Sequence, residues 1–77
     1  MQIKDSAYWS RKRQKRPDIL DYMIEYCIMH SNKLNDRNWE NVWNAIARIP
    51  PSGRLLKVVY REKRKNIKTV ITAYWLD

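Results

Sequence analysis

A chain of 77 residues with a formal net charge of +8 and 44% hydrophobic residues is long enough for one small domain and too short for two separate cores. Four Trp and five Tyr argue against intrinsic disorder, and the single cysteine, Cys27, excludes an internal disulfide framework. No run approaches the roughly 20 apolar residues of a membrane span, and the first residues lack the apolar segment of a secretion signal. The sequence therefore predicts a soluble, cytoplasmic protein in which Cys27 is a reduced core thiol.

The positive charge is concentrated in two segments. Five of the sixteen cations lie in RKRQKR (residues 11–16), and seven more lie from Arg54 to Lys68. A surface that only needs solubility usually mixes both signs of charge, whereas clustered cations are typical of a phosphate-binding footprint. As an explanation of the clustered charge, a nucleic-acid partner is favoured over an acidic protein partner. Either partner is favoured over a role of the charge in solubility alone.

Two helices are predicted in the first half of the chain. Ser6 can cap a helix over residues 7–15, which Pro17 interrupts because the residue before proline avoids helical geometry. A second helix is predicted over residues 17–30, where polar residues form one narrow stripe and the other positions are apolar. The acidic stripe of the second helix would partly neutralise the cations of the first.

The segment from residue 41 to residue 49 is ambiguous. Trp39, Val42, Trp43, Ile46 and Ile49 have helical spacing, but residues 43–49 also alternate as a strand would. Strand and helix both stay open from the residues alone.

The last third of the chain predicts a β-hairpin. Residues 55–62 and 67–76 are rich in Val, Ile, Thr, Tyr and Trp, and a charged turn separates them. Both faces of residues 55–59 are largely apolar, which indicates a central strand. The predicted fold is therefore α+β, with two N-terminal helices packed on a C-terminal antiparallel sheet of three to four strands that ends in this hairpin.

The segments GRLLKVVYRE (residues 53–62) and VITAYWLD (residues 70–77), placed after two helices, resemble small RelE/BrnT-like domains. The resemblance implies helices packed on one face of a curved antiparallel sheet, and it favours a strand for residues 41–49. Many proteins of this kind are toxins that cut RNA without a metal and are held inactive by an antitoxin. Some relatives carry a histidine early in the first helix, where this chain has Tyr8, so histidine-based catalysis is placed in doubt.

The cations of the hairpin are the candidate site. Arg54, Lys57 and Arg61 are expected to lean to one face of a strand, where they would stabilise the charge that a phosphorane gains during RNA cleavage. Tyr74 can stack a base or donate a proton, although a tyrosine in an apolar strand is more often core. The candidate catalytic residues are Lys57, Arg61 and Tyr74, and the candidate nucleic-acid-binding residues are Arg11, Arg13, Lys15, Arg16, Arg54, Lys57, Arg61 and Arg64.

The sequence leaves the function open between two classes. One is catalytic: an RNA-directed module of RelE/BrnT type that acts as a metal-independent RNase toxin. The other is binding without catalysis, either by a module that binds nucleic acid or the ribosome, or by an interaction protein that docks an acidic partner such as an antitoxin-like protein. A homodimer is also open, whereas a membrane partner is not expected. No cofactor or metal site is expected, since one Cys, one His and scattered carboxylates do not assemble four ligands.

Overall fold

A computed structural model describes all 77 residues, which form a five-stranded sheet and two helices. The elements in chain order are β1 (Gln2–Asp5), α1 (Ala7–Lys12), a 3₁₀ turn (Arg13–Lys15), α2 (Asp21–His30), β2 (Asn32–Asn35), β3 (Val42–Ile49), β4 (Arg54–Arg64) and β5 (Ile67–Trp75). The sheet order is β1-β5-β4-β3-β2. Strands β2 to β5 form an antiparallel meander, and β1 runs parallel to β5 at one edge.

The predicted α+β class is confirmed, but the prediction of the sheet was wrong in two respects. The sheet has five strands instead of three to four, and it is mixed instead of antiparallel, because β1 precedes the helices and pairs in parallel with β5. The ambiguous residues 41–49 contain strand β3, and the expected hairpin corresponds to β4 and β5. Strand β4 is the central strand of the five.

The helices are shorter than the sequence predicted. Residues 13–15 form a 3₁₀ turn at the end of α1, and α2 begins at Asp21 instead of residue 17. Ser6 does cap α1, since its hydroxyl accepts a hydrogen bond from the Trp9 N–H at 3.0 Å. Pro17 lies in the link between the two helices, where its missing N–H costs no helical hydrogen bond.

Both helices pack on the same face of the sheet. Trp9 of α1 and the residues Ile24, Cys27 and Ile28 of α2 form one buried cluster with alternate residues of β3, β4 and β5. The strand residues of this cluster are Ala45, Ile49, Leu56, Val58, Tyr60, Val70 and Ala73. Because side chains alternate along a strand, the residues between them point to the opposite face of the sheet.

The turn between β3 and β4 depends on the one glycine of the chain. Gly53 has a φ of +77°, a left-handed conformation that side chains with a Cβ rarely adopt. Its N–H donates to the Ile49 carbonyl oxygen at 2.8 Å, which closes the turn and sets the start of β4. None of the helices is both long and apolar enough to cross a lipid bilayer.

Candidate nucleic-acid interface

One face of the sheet carries no helix, and we call it the open face. It consists of the strand residues that alternate with the buried core, and these are half-buried or exposed with the exception of Val42. Register places side chains from different strands beside one another there, in rows such as Ile46, Lys57 and Tyr74. The residues of the open face include Lys4, Leu34, Val42, Asn44, Ile46, Lys57, Val59, Arg61, Ile67, Thr69, Ile71, Thr72 and Tyr74.

Lys57, Arg61 and Tyr74 lie together on the open face. Lys57 and Tyr74 are partners in neighbouring strands, and the Lys57 ammonium lies 5.7 Å from the centroid of the Tyr74 ring. Arg61 is four residues along β4, about 13 Å away on the same face. Neither Lys57 nor Arg61 forms a salt bridge with any carboxylate. Both cations are therefore available to an anionic ligand.

A shallow basic groove extends the open face beyond Arg61. Its volume is about 340 Å³, and Thr69 and Ile67 of β5 form part of its floor. The other lining residues are all cations, and no carboxylate contributes to the groove: they are Lys4, Arg61, Lys63 and Arg64. Four positive side chains around one groove with no compensating acid form a local anion-binding surface.

Arg54 does not share a face with Lys57 and Arg61, so that expectation was wrong. Arg54 is three residues from Lys57, and an odd separation along a strand puts side chains on opposite faces. The Arg54 guanidinium stacks over the Trp75 ring at 4.2 Å and lies 3.6 Å from an Asp18 carboxylate oxygen. The Trp75 indole N–H donates to the same carboxylate at 2.8 Å. Arg54 therefore connects strand β4 with the segment before α2 through its contact with Asp18.

The cations of the first cluster lie with the helices and separate into two groups. Arg13 forms ion pairs with Asp5 and Asp21, and its hydrogen bond to Asp21 is the main factor that raises the Arg13 pKa. Arg16 donates to the Ala73 carbonyl oxygen at 2.9 Å, where β5 extends past the end of its pairing with β1. Both arginines thus have contacts within the fold, unlike the remaining exposed candidates, Arg11 and Lys15.

The structure brings together only part of the predicted surface. Lys57, Arg61 and Arg64 belong to the open face and its groove, whereas Arg11 and Lys15 lie in the helix layer on the opposite side of the sheet. The two clusters of the sequence thus form two separate surfaces. The pairing of Asp21 with Arg13 matches the expected neutralisation of α1 by the acidic stripe of α2.

Two titratable groups that could take part in chemistry are sequestered in the core. Tyr60 is 1% exposed, and burial together with the negative charge of Glu62 raises its pKa to about 12. Cys27 is fully buried, as expected, and burial raises its thiol pKa to about 11. His30 ends α2 and lies against the Tyr26 ring, with centroids 4.5 Å apart. None of the three lies on the open face.

Lys4 and Lys63 are site residues that the sequence reasoning did not single out. Lys4 joins the groove because β1 pairs with β5 beside Thr69. Its short polar strand has no hydrophobic alternation that would signal its position. Lys63 was visible within the cation run of the hairpin turn, which was the available signal. No three His, Cys, Asp or Glu side chains are grouped closely enough to hold a metal ion.

Comparison of the chain with known proteins gave no match to a family model, to a curated protein or to a solved structure. The resemblance to RelE/BrnT-like domains therefore stays a prediction from the motifs of the hairpin. The case for a function depends on the composition and geometry of the open face.

Proposed function

We propose that this protein is an RNA-binding module that holds single-stranded RNA on the open face of its sheet. The observation that carries the proposal is the pair Lys57 and Arg61, which lie on a face without helices and have no carboxylate partner. The groove that follows adds Lys4, Lys63 and Arg64 along the same path. Cations spaced along a path are suited to successive phosphates of one strand.

The position of the Tyr74 ring favours single-stranded RNA over duplex RNA as the ligand. The ring is half-buried beside Lys57 on the open face, and we propose that the exposed part of the ring stacks on a base. Proteins that bind single strands typically combine a cationic groove with such aromatic surfaces, because every base has a π face. The choice of RNA over DNA follows the resemblance to RelE/BrnT-like domains.

Metal-independent RNA cleavage is a second candidate function, because Lys57, Arg61 and Tyr74 share one face. Cleavage needs a base for the 2′-hydroxyl proton, an acid for the leaving oxygen and cations around the developing negative charge. Arg61 and Lys57 would stabilise that charge, and the Tyr74 hydroxyl would donate its proton to the leaving 5′-oxygen while its oxygen takes up the proton of the 2′-hydroxyl.

Incubation of the protein with a mixed-sequence RNA in EDTA, read on one gel for mobility and cleavage, tests both functions. A shift that is lost in the double variant Lys57→Ala, Arg61→Ala supports binding at the open face. Cleavage that is lost in the same variant and in Tyr74→Phe supports the RNase. A shift without cleavage contradicts the RNase alone, and the absence of both at low salt contradicts the proposed function.

The chain offers a control with the same loss of charge. The double variant Arg11→Ala, Lys15→Ala also removes two exposed cations, but it removes them from the helix layer. We expect this variant to shift RNA nearly as well as the wild type. An equal loss in both double variants would mean that overall charge, and not the open face, determines binding.

A further inference from the structure

Trp39 is an exposed aromatic side chain on a loop that hydrogen bonds hold in place. Its side chain is 64% exposed, although large apolar groups usually gain free energy from burial. The Asp36 N–H donates to the Val42 carbonyl oxygen at 2.8 Å, and the Glu62 N–H donates to the Asn41 carbonyl oxygen at 2.8 Å. These bonds anchor both ends of the loop to the sheet, so Trp39 is presented at a defined place.

Trp39 forms one wall of a pocket on the open face. The pocket has a volume of about 320 Å³, and its apolar lining consists of Trp39, Val42, Val59 and Ile71. That volume corresponds to about ten water molecules of liquid, which is enough for one nucleobase. An apolar pocket with an exposed indole at its wall is suited to a flat aromatic ligand.

Arg61 connects this pocket with the basic groove. Its side chain lines both cavities, so a strand whose phosphate binds Arg61 has a base within reach of Trp39. The groove supplies charge for the backbone, and the pocket supplies an apolar surface for the base. This division of roles is typical of sites for single-stranded nucleic acid.

Asp36 adds a hydrogen-bond acceptor to the same pocket. One carboxylate oxygen accepts the Asn38 N–H at 2.8 Å, which orients the side chain. The other oxygen has no hydrogen-bond partner within the protein. A carboxylate in this position accepts a hydrogen bond from the exocyclic amino group of a base, which cytosine has and uracil lacks.

We propose that the pocket beside Trp39 binds one unstacked base of the RNA, stacked on the indole, and prefers a base with an amino group through Asp36. This inference rests on the proposed function and assigns it a base-recognition site. The bound strand would have its phosphates at Arg61 and in the groove.

Fluorescence anisotropy with labelled oligonucleotides of one length tests the pocket separately from the phosphate surface. The probes are oligo(C), oligo(U) and an abasic oligonucleotide that keeps every phosphate. We expect the wild type to bind oligo(C) more tightly than the abasic strand, and Trp39→Ala to weaken oligo(C) binding by about 5- to 150-fold, the loss for one base–aromatic stack. Affinity for the abasic strand should stay unchanged in this variant, and Trp39→Phe should keep most of the preference.

The oligo(C) and oligo(U) probes test Asp36. We expect oligo(C) to bind about 10-fold more tightly than oligo(U), and Asp36→Asn to abolish this difference while it keeps the oxygen that accepts the Asn38 N–H. Equal affinities of the wild type for oligo(C) and oligo(U) would overturn the role of Asp36.

Other outcomes separate this inference from the proposed function. Equal binding of intact and abasic strands overturns the base pocket and leaves the phosphate surface intact. No binding of any strand overturns both. A wild-type dimer that becomes a monomer in Trp39→Ala, measured by light scattering, would overturn the inference in favour of a second copy of the chain.

Discussion

Replacement of Lys57 and Arg61 by alanine should change how strongly RNA binding depends on salt. Each cation that contacts a phosphate releases a counterion, and the logarithm of the affinity for a single strand falls by about 0.7 per contact for each tenfold rise in salt. The open face and its groove offer five cations along the path proposed for a strand: Lys4, Lys57, Arg61, Lys63 and Arg64.

Five phosphate contacts predict a slope of about −3.5 for the wild type, and three contacts predict about −2.1 for the double variant. Between 50 mM and 200 mM salt, the affinity of the wild type should therefore fall by about 130-fold and that of the variant by about 18-fold. Neither side chain has an ion-pair partner within the protein, so their removal breaks no ion pair of the fold.

Anisotropy titrations with one short RNA at four salt concentrations provide both slopes, and circular dichroism checks that each variant is folded. The double variant Arg11→Ala, Lys15→Ala removes the same charge from the helix layer and should keep the wild-type slope. A wild-type slope in the open-face variant would contradict phosphate contacts at Lys57 and Arg61, and so would an equal loss of slope in the helix-layer variant.

Three further predictions concern the core and one turn. Burial raises the pKa of Cys27 from 9.0 to about 11 and that of Tyr60 from 10.0 to about 12, so the folded chain holds both protons more tightly than the unfolded chain. The two protonated groups contribute fully to the free energy of unfolding below their unfolded pKa values, and this contribution is lost as pH rises toward 12. Urea denaturation should therefore show a free energy of unfolding that falls above pH 9. In Tyr60→Phe this fall should be smaller above pH 10, by up to about 1.4 kcal/mol per pH unit. An unchanged pH dependence in Tyr60→Phe would contradict this assignment. Cys27 should react with a soluble thiol reagent only when the fold opens, so its rate should rise with urea; a rapid reaction in the native state would show an accessible thiol. Gly53→Ala should lower the free energy of unfolding by about 1 to 2 kcal/mol because of the left-handed backbone, and Gly53→Asn by less; an equal loss in both would point to another cause.

The strands that the sequence predicted well are those that bury side chains. In strands β4 and β5, apolar residues alternate with polar ones, because one face of each strand is buried against the helices. Strands β1 and β2 escaped prediction because QIKD and NKLN are edge strands with mostly exposed side chains. Their place in the sheet comes from backbone hydrogen bonds with neighbouring strands, which leave no hydrophobic pattern in the sequence.

Residues 41–49 show why spacing alone did not decide between helix and strand. Ala45 and Ile49 face the core beneath α2, and Val42 on the opposite face is only 3% exposed beside the Trp39 loop. Both faces of β3 are therefore partly covered, and apolar residues occur at positions that a helix would also use. The deciding information is a loop contact, which no local pattern contains.

The candidate site was predictable in its chemistry but not in its shape. The cation runs indicated phosphate binding, yet they did not show that α1 lies on the opposite side of the sheet from Lys57 and Arg61. Arg16 was also indistinguishable from a free cation, because its partner, the Ala73 carbonyl, lies 57 residues away in the chain. The face on which Arg54 lies was predictable, because Arg54 is an odd number of residues from Lys57 and side chains alternate along a strand.

The parallel pairing of β1 with β5 has consequences for how the chain folds. Strands β2 to β5 are joined in sequence order and can assemble by local hairpins, whereas β1 must meet a strand more than sixty residues away. The Ser6 hydroxyl, which caps α1, lies 3.4 Å from the Ile71 carbonyl oxygen across a separation of 65 residues. Loop closure of that length is slow, and edge strands open with little loss of core contact. We therefore expect β1 to join the sheet last and to exchange its amide hydrogens first, and the groove gains Lys4 only at that final step.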